Sequence, residues 1–180
     1  KYVQEFKDNM KDRGKPKVSK HSGKSYTKIS WIPDFARFGL SSYSDKMYQL
    51  MERRLYDIAG VTDRSVNVIY NGKMIKQKSF DKYIGLYLDN EKMVYEDIHE
   101  RWSLGIAIST NDKFEQISFV NGIATPKGGK HVDYITNLLV KALITHIEKK
   151  EKTKVKDAYI KNYLKVFLNS TIENPGFDSQ

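Results

Sequence analysis

The most suggestive chemical pattern in this 180-residue chain is residues 125–131, which read Thr-Pro-Lys-Gly-Gly-Lys-His. A glycine-rich turn ahead of a helix can present backbone N–H groups to an anion, as phosphate-binding loops do. The spacing argues against such a loop, because Ala124 stands where the motif needs its first glycine and His131 where it needs Ser or Thr. The two glycines instead predict a tight turn that packs a helix onto a sheet.

No other group of residues predicts a catalytic or metal site. The chain has no Cys, and its four His are scattered along the sequence, which predicts no ligand cluster for a metal. His131 and Asp133 are two positions apart near a predicted helix start, where their side chains do not face each other, and no Ser or Cys nucleophile accompanies them. We therefore expect the chain to catalyse no reaction on its own.

The net charge of +9 is unevenly distributed along the sequence. Residues 1–28 hold nine Lys and Arg against three acidic residues, and residues 141–165 hold eight Lys against three, so these segments carry +6 and +5. Lysine clusters attract polyanions by releasing counterions, so nucleic acid is the first partner to consider and an acidic membrane surface the second. A solvated surface without a partner is also consistent with such runs. No stretch has the length of a membrane span or the character of a signal peptide.

Hydrophobic patterning predicts mainly strands in the N-terminal part. Residues 2–9 alternate weakly and predict a strand, residues 11–24 are rich in turn formers and predict a loop, and residues 26–32 predict a clearer strand. A boundary is expected near residues 38–44, because glycine and serine precede a new pattern there.

A helix and a hairpin are expected next. Ser44 or Asp45 can cap the helix and Gly60 can end it. Its apolar residues recur every three or four positions: Met47, Leu50, Met51, Leu55 and Ile58. Alternating residues on either side of Asn71-Gly72 then predict a β-hairpin, because this dipeptide favours a type I′ turn.

The remaining pattern predicts an α+β domain. A short helix begins at Ser79, and residues 102–108 and 114–120 alternate as two strands that we expect to be adjacent and antiparallel. A long helix follows the glycine loop and ends in lysines. Residues 155–162 look helical and residues 164–172 alternate as a strand, although one long helix would also satisfy their spacing. Strands and helices in this order form an α+β fold.

Four phrases of the sequence resemble one protein family. Residues 117–134, Ile-Ser-Phe-Val-Asn-Gly-Ile-Ala-Thr-Pro-Lys-Gly-Gly-Lys-His-Val-Asp-Tyr, closely resemble a phrase of the transducer domains of eukaryotic type IIA DNA topoisomerases. Residues 53–60, 68–73 and 172–180 match further phrases, in order and at sensible spacing. Lys127 favours the eukaryotic branch, because the bacterial gyrase type usually has an acidic residue before the Gly-Gly pair.

The resemblance implies a division into two domains. Residues 1–36 are expected to be the C-terminal end of a GHKL ATP-binding domain, and residues 37–180 the transducer, a two-layer fold of the ribosomal-protein-like type with a left-handed βαβ unit. Gln180 would begin the Gln-Thr-Lys loop whose lysine reaches the γ-phosphate of ATP. ATP and Mg²⁺ are expected in the parent enzyme, and no cofactor is expected on this segment alone.

The resemblance also implies a function and partners. A lysine-rich loop is expected to contact double-stranded DNA through Lys149, Lys150 and Lys152. The parent enzyme is expected to be a nuclear, homodimeric, ATP-hydrolysing isomerase that couples ATP to N-gate closure and double-strand passage, with the GHKL and DNA-gate domains on the same polypeptide. The alternative is a stand-alone nucleic-acid-binding α+β module without catalysis, because related folds occur in other nucleic-acid-associated domains.

Overall fold

The computed structural model describes residues 1–89 and 91–177. Its contacts divide the chain into two compact units, Lys1–Tyr48 and Gln49–Gln180. This division falls after Tyr48, whereas the resemblance implies a domain boundary after residue 36. The boundary after residue 36 stays a prediction. Within the described residues, no helix combines the length and the apolar character needed to cross a bilayer.

The first unit contains short antiparallel strand pairs. Four strands of two residues each are present: β1 (Tyr2–Val3), β2 (Phe6–Lys7), β3 (Asp12–Arg13) and β4 (Lys17–Val18). Strand β1 pairs with β4, and β2 pairs with β3 between them, so the two pairs are nested. The single strand predicted over residues 2–9 is therefore two strands, and the predicted loop over 11–24 contains their partners.

The strand predicted over residues 26–32 is wrong. These residues have no regular secondary structure, and their apolar side chains are exposed, with Ile32 at 93%. Alternation favours an extended chain, but a strand also needs a neighbour for its backbone hydrogen bonds, and no described residue pairs with this stretch. A single 3₁₀ turn, Ala36–Phe38, follows and is closed by Gly39 in the left-handed region.

The predicted helices are present. They are α1 (Asp45–Val61), α2 (Phe80–Ile84), α3 (Lys130–Glu151) and α4 (Asp157–Asn162). The Ser44 hydroxyl accepts the Met47 N–H at 3.4 Å, which agrees with the predicted cap. Helix α1 continues through Gly60 to Val61, so Gly60 does not end it. A 3₁₀ turn, Gly85–Tyr87, extends α2. The hairpin is confirmed as β5 (Ile69–Tyr70) and β6 (Lys73–Met74).

The second unit is built on a five-stranded sheet in the order β10-β9-β11-β8-β7. The strands are β7 (Met93–His99), β8 (Trp102–Ile108), β9 (Glu115–Val120), β10 (Ile123–Ala124) and β11 (Leu164–Ser170). The expectation that β8 and β9 are neighbours is wrong, because β11 lies between them, antiparallel to β8 and parallel to β9. A parallel pair needs a long crossover, which α3 and α4 supply.

Both faces of the sheet are covered, and β11 is buried on both. Val166 and Leu168 belong to a core with Val132 and Ile135 of α3, whereas Phe167 belongs to a second core with Phe80 of α2. The four apolar residues of β11, Leu164, Val166, Phe167 and Leu168, are all buried, and they are shared between the two cores, as expected for a strand covered on both faces. This pattern confirms the strand and rejects the single long helix. The α+β class is confirmed.

Candidate functional site

The predicted DNA-contacting lysines lie at the C-terminal end of α3. Lys149 and Lys150 occupy its last turn, and Lys152 is the residue that follows the helix. Lys152 adopts a left-handed conformation, φ +54°, and its N–H donates to the Glu148 carbonyl at 3.0 Å. Cations are favoured here because the carbonyls at a helix C-terminus carry partial negative charge.

The positive charge of these lysines is largely uncompensated. Lys150 Nζ is 3.9 Å from the Glu151 carboxylate, but the two side chains are 71% and 62% exposed, and such a pair contributes little. Lys149 and Lys152 form no ion pair with any residue in 1–89 or 91–177. All three side chains are exposed, so they can meet an anion from solution.

Two other lysines of the basic segment differ from these exposed lysines, because their side chains contact residues of the same unit. Lys165, only 15% exposed, donates to the Tyr87 carbonyl at 3.0 Å and lies within 4 Å of Glu91 and Glu115. Lys161 Nζ lies 5.0 Å from the centre of the Phe114 ring. Two of the eight lysines of residues 141–165 therefore make contacts within the fold. Lys154 and Lys156, which the sequence prediction did not include, are exposed and continue the basic segment.

The glycine loop is attached to the sheet by its own polar groups. The Ser118 and Thr125 hydroxyls are 2.5 Å apart, and Gln116 Nε2 donates to the carbonyls of Thr125 and Pro126 at 3.2 and 3.0 Å. Gly128 and Gly129 have φ of +74° and +145°, values that favour glycine. The glycines thus allow the turn that leads into α3, whose Val132 and Ile135 pack against β11 of the sheet, as the sequence analysis predicts for a helix on a sheet.

His131 belongs to this attachment rather than to a pair with Asp133. Its Nε2 is 3.1 Å from the Thr125 hydroxyl. Burial lowers the pKa of His131 below its ordinary value, and the nearby Asp133 carboxylate opposes that shift. A neutral, half-buried imidazole that bonds the loop is a structural histidine.

Gln180, the predicted first residue of the ATP-sensing loop, lies outside the described residues. The chain that leads towards it is well held: the Asn121 side chain makes two hydrogen bonds to Ile172, and Arg101 contacts Glu173. The sequence analysis did not predict these contacts. It places Asn121 only within the phrase of residues 117–134, and it gives Arg101 no role.

A buried carboxylate marks the opposite face of the sheet. The Tyr83 hydroxyl donates to Asp57 Oδ1 at 2.7 Å and lies 2.6 Å from the Tyr87 hydroxyl. Burial, followed by these two hydrogen bonds, raises the pKa of Tyr83 well above its ordinary value. A cavity of 260 Å³ opens beside these groups and is lined mainly by apolar surface. No group of metal-ligating side chains occurs among residues 1–89 and 91–177.

Comparison with known proteins relates this chain and its fold to one family. Residues 66–180 match the family described as DNA gyrase B. The chain is 40% identical over 200 residues to DNA topoisomerase 2 of Saccharomyces cerevisiae and 41% identical over 186 residues to probable DNA topoisomerase 2 of Dictyostelium discoideum. These alignments cover 100% and 99% of this chain but 14% and 12% of the relatives. The chain thus spans a small part of the length of the curated relatives it matches.

Two solved structures give the same result. The ATPase region of Saccharomyces cerevisiae topoisomerase II matches 99% of this chain with a TM-score of 0.83 at 41% identity, and the match covers 46% of that chain. The ATPase and transducer domains of DNA topoisomerase II from Balamuthia mandrillaris match 99% with a TM-score of 0.84 at 32% identity, covering 47% of that chain.

These likenesses define the class: an α+β part of the ATPase region of type II DNA topoisomerases. The chain belongs to the DNA gyrase B family, and within it to the eukaryotic topoisomerase II type. The assignment to the eukaryotic branch, made from Lys127, is therefore confirmed.

Proposed function

We propose that this chain is the transducer part of a type II DNA topoisomerase, where it couples ATP binding and hydrolysis to N-gate closure and double-strand passage. The match of 99% of the chain to the ATPase region of a topoisomerase II carries the proposal. Residues 1–36 then form the end of the GHKL domain and residues 37–180 the transducer. The full-length protein is proposed to be a nuclear homodimer that requires ATP and Mg²⁺ and contains the DNA-gate domains.

The coupling depends on a contact that hydrolysis removes. In this proposal Gln180 begins the loop whose lysine binds the γ-phosphate in the neighbouring domain. Such a contact exists before hydrolysis and is lost afterwards, so it favours one of two interdomain orientations by its own binding free energy. The segment between β11 and Gln180 then carries the change into the sheet.

Lys149, Lys150 and Lys152 are proposed to contact the DNA backbone. Their exposure supports the proposal, and so does the lack of an ion pair to Lys149 or Lys152 among the described residues, 1–89 and 91–177. Lysine contacts with phosphates do not read sequence, which suits an enzyme that passes any duplex through any other. DNA held here favours the closed, ATP-bound dimer.

ATP turnover of the full-length protein, with and without duplex DNA, tests both parts. Replacing Lys149, Lys150 and Lys152 by Ala is expected to lower the ratio of DNA-stimulated to basal turnover. The matched control replaces three exposed lysines elsewhere in the same unit, Lys73, Lys76 and Lys82, and should leave the ratio unchanged. An unchanged ratio in the first variant rejects the DNA contact, and a wild-type protein without ATP turnover rejects the transducer role.

A further inference from the structure

The side chain of Asn121 holds Ile172, a residue 51 positions away. Its Nδ2 donates to the Ile172 carbonyl at 3.0 Å, and its Oδ1 accepts the Ile172 N–H at 2.9 Å. An amide side chain can replace a neighbouring strand in this way, because it offers the same donor and acceptor as a backbone peptide group. These two hydrogen bonds between Asn121 and Ile172 are called the Asn121 clasp. Strand β11 ends at Ser170, so the clasp continues the hydrogen bonding of the sheet by two residues.

Further contacts hold the same stretch from both sides. Asn121 N–H donates to the Ser170 carbonyl at 2.9 Å, and Thr171 N–H donates to the Arg101 carbonyl at 2.8 Å. Arg101 also pairs with Glu173 at 2.7 Å, but the two side chains are 50% and 76% exposed, which makes the ion pair weak. The bonds from Asn121 are therefore the main side-chain attachment of this stretch.

The turn in which Asn121 lies does not itself require these bonds. Asn121 has φ +51° and precedes Gly122, in the left-handed conformation that Asn and Gly adopt most readily. Asn71, which precedes Gly72, has nearly the same φ of +48°, yet its side chain makes no hydrogen bond to any residue in 1–89 or 91–177. An Asn-Gly turn thus forms without a clasp, and the clasp is an additional feature of Asn121.

We infer that Asn121 is a positioning residue that ties the segment running from β11 towards Gln180 to the sheet. The inference rests on the proposed function, in which residues beyond 177 respond to the nucleotide. A displacement passes along a chain only where the chain cannot move freely. Residues 171–173 are the first after β11 that lie outside the strand pairing of the sheet. The Asn121 clasp restricts the movement of residues 171–173 relative to the sheet, so that movement of the C-terminal segment moves β11.

The clasp itself is tested by hydrogen exchange at Ile172 in the full-length protein. Asn121→Gly removes both bonds and accepts the positive φ, and Asn71→Gly is the matched control. Two hydrogen bonds of ordinary net strength correspond to exchange about tenfold faster in peptides that contain Ile172. Equal exchange in the two variants would overturn the clasp.

The positioning role is tested by the number of strand-passage events per ATP hydrolysed. Asn121→Gly is expected to lower this ratio by about threefold to tenfold, the range that one or two lost hydrogen bonds allow. Asn121→Asp, which keeps the turn but loses the donor to the Ile172 carbonyl, should lower it as well, and Asn71→Gly should not.

Two further outcomes distinguish this inference from the proposed function. Faster exchange at Ile172 with an unchanged ratio shows a clasp that transmits nothing and overturns the positioning role. A wild-type protein that shows no ATP-dependent strand passage overturns the proposed function and the positioning role together, whereas the clasp is then judged by the exchange result alone.

Discussion

Replacing Lys149, Lys150 and Lys152 by Ala is expected to change how strongly DNA binding depends on salt. Each lysine that neutralises a phosphate releases a counterion, and the slope of log K against log salt changes by about 0.9 per contact with duplex DNA. Lys149 and Lys152 have no ion pair within the described part of the chain, whereas Lys150 is 3.9 Å from Glu151. The triple replacement should therefore remove two to three effective contacts.

The magnitude follows from this count. Two to three contacts correspond to a slope smaller by about 1.8 to 2.7. Between about 50 and 200 mM salt, the wild-type protein should lose roughly 10-fold to 40-fold more affinity for DNA than the variant does. The difference between the two proteins should shrink as salt increases, because screening weakens what the lysines contribute.

Fluorescence anisotropy of a labelled duplex across a salt series measures this slope. The control variant, with Lys73, Lys76 and Lys82 replaced by Ala, removes the same charge from another part of the unit. An equal loss of slope in both variants would show that net charge, rather than this helix end, governs binding. An unchanged slope in the first variant would refute the contact itself.

Three further predictions concern the fold. Phe167→Ala should lower the unfolding free energy by about 3–5 kcal/mol in urea denaturation, because Phe167 is fully buried in β11; a loss below about 1.5 kcal/mol contradicts this. Gly60→Ala should lower the unfolding free energy in the same assay by up to about 2 kcal/mol, since the new Cβ would lie 2.5 Å from Tyr83 Cβ, and overpacking of about 1–3 kcal/mol opposes a gain of about 1 kcal/mol in helix propensity; a clear gain in stability contradicts this. Because burial lowers the pKa of His131, the unfolded chain binds its proton more readily, so the Tm should decline from about pH 7 to about pH 5, and less so in His131→Gln.

Local periodicity predicts the elements whose burial is decided by their own side chains. Helices α1 and α3 and strands β8 and β9 lie where apolar residues recur at the period of a helix or a strand. The sequence does not predict β7, an edge strand in which the exposed Val94, Glu96 and Ile98 put apolar and charged residues on one face. Its period-2 signal is correspondingly weak.

Pairing between distant segments is the part that the sequence does not reveal. The alternation in residues 102–108 and 114–120 is correct, but it contains nothing that says β11 lies between the two strands. Residues 26–32 have the composition of a strand but no partner among the described residues. Strand order and strand existence both depend on hydrogen bonds to residues far away in the sequence.

The candidate site also has one part that the local sequence predicts and one part that only the structure reveals. The basic run is a local property of the sequence, and the family resemblance selects Lys149, Lys150 and Lys152 from it. Only the structure distinguishes these exposed lysines from Lys161 and Lys165, whose side chains contact other residues of the same unit. The attachment of Ile172 by Asn121 joins two of the phrases that carry the family resemblance. Each phrase is readable by itself, but their contact is visible only in the fold.

The position of β11 gives a physical reason for a mechanical role. It is flanked by β8 and β9 and buried on both faces, so it cannot shift without disturbing two cores. The lysine-bearing end of α3 precedes β11 in the chain, and the segment clasped by Asn121 follows it. Because close-packed elements transmit displacement instead of absorbing it, we expect a pull on the clasped segment to reach Val132 and Ile135 of α3, which share a core with β11.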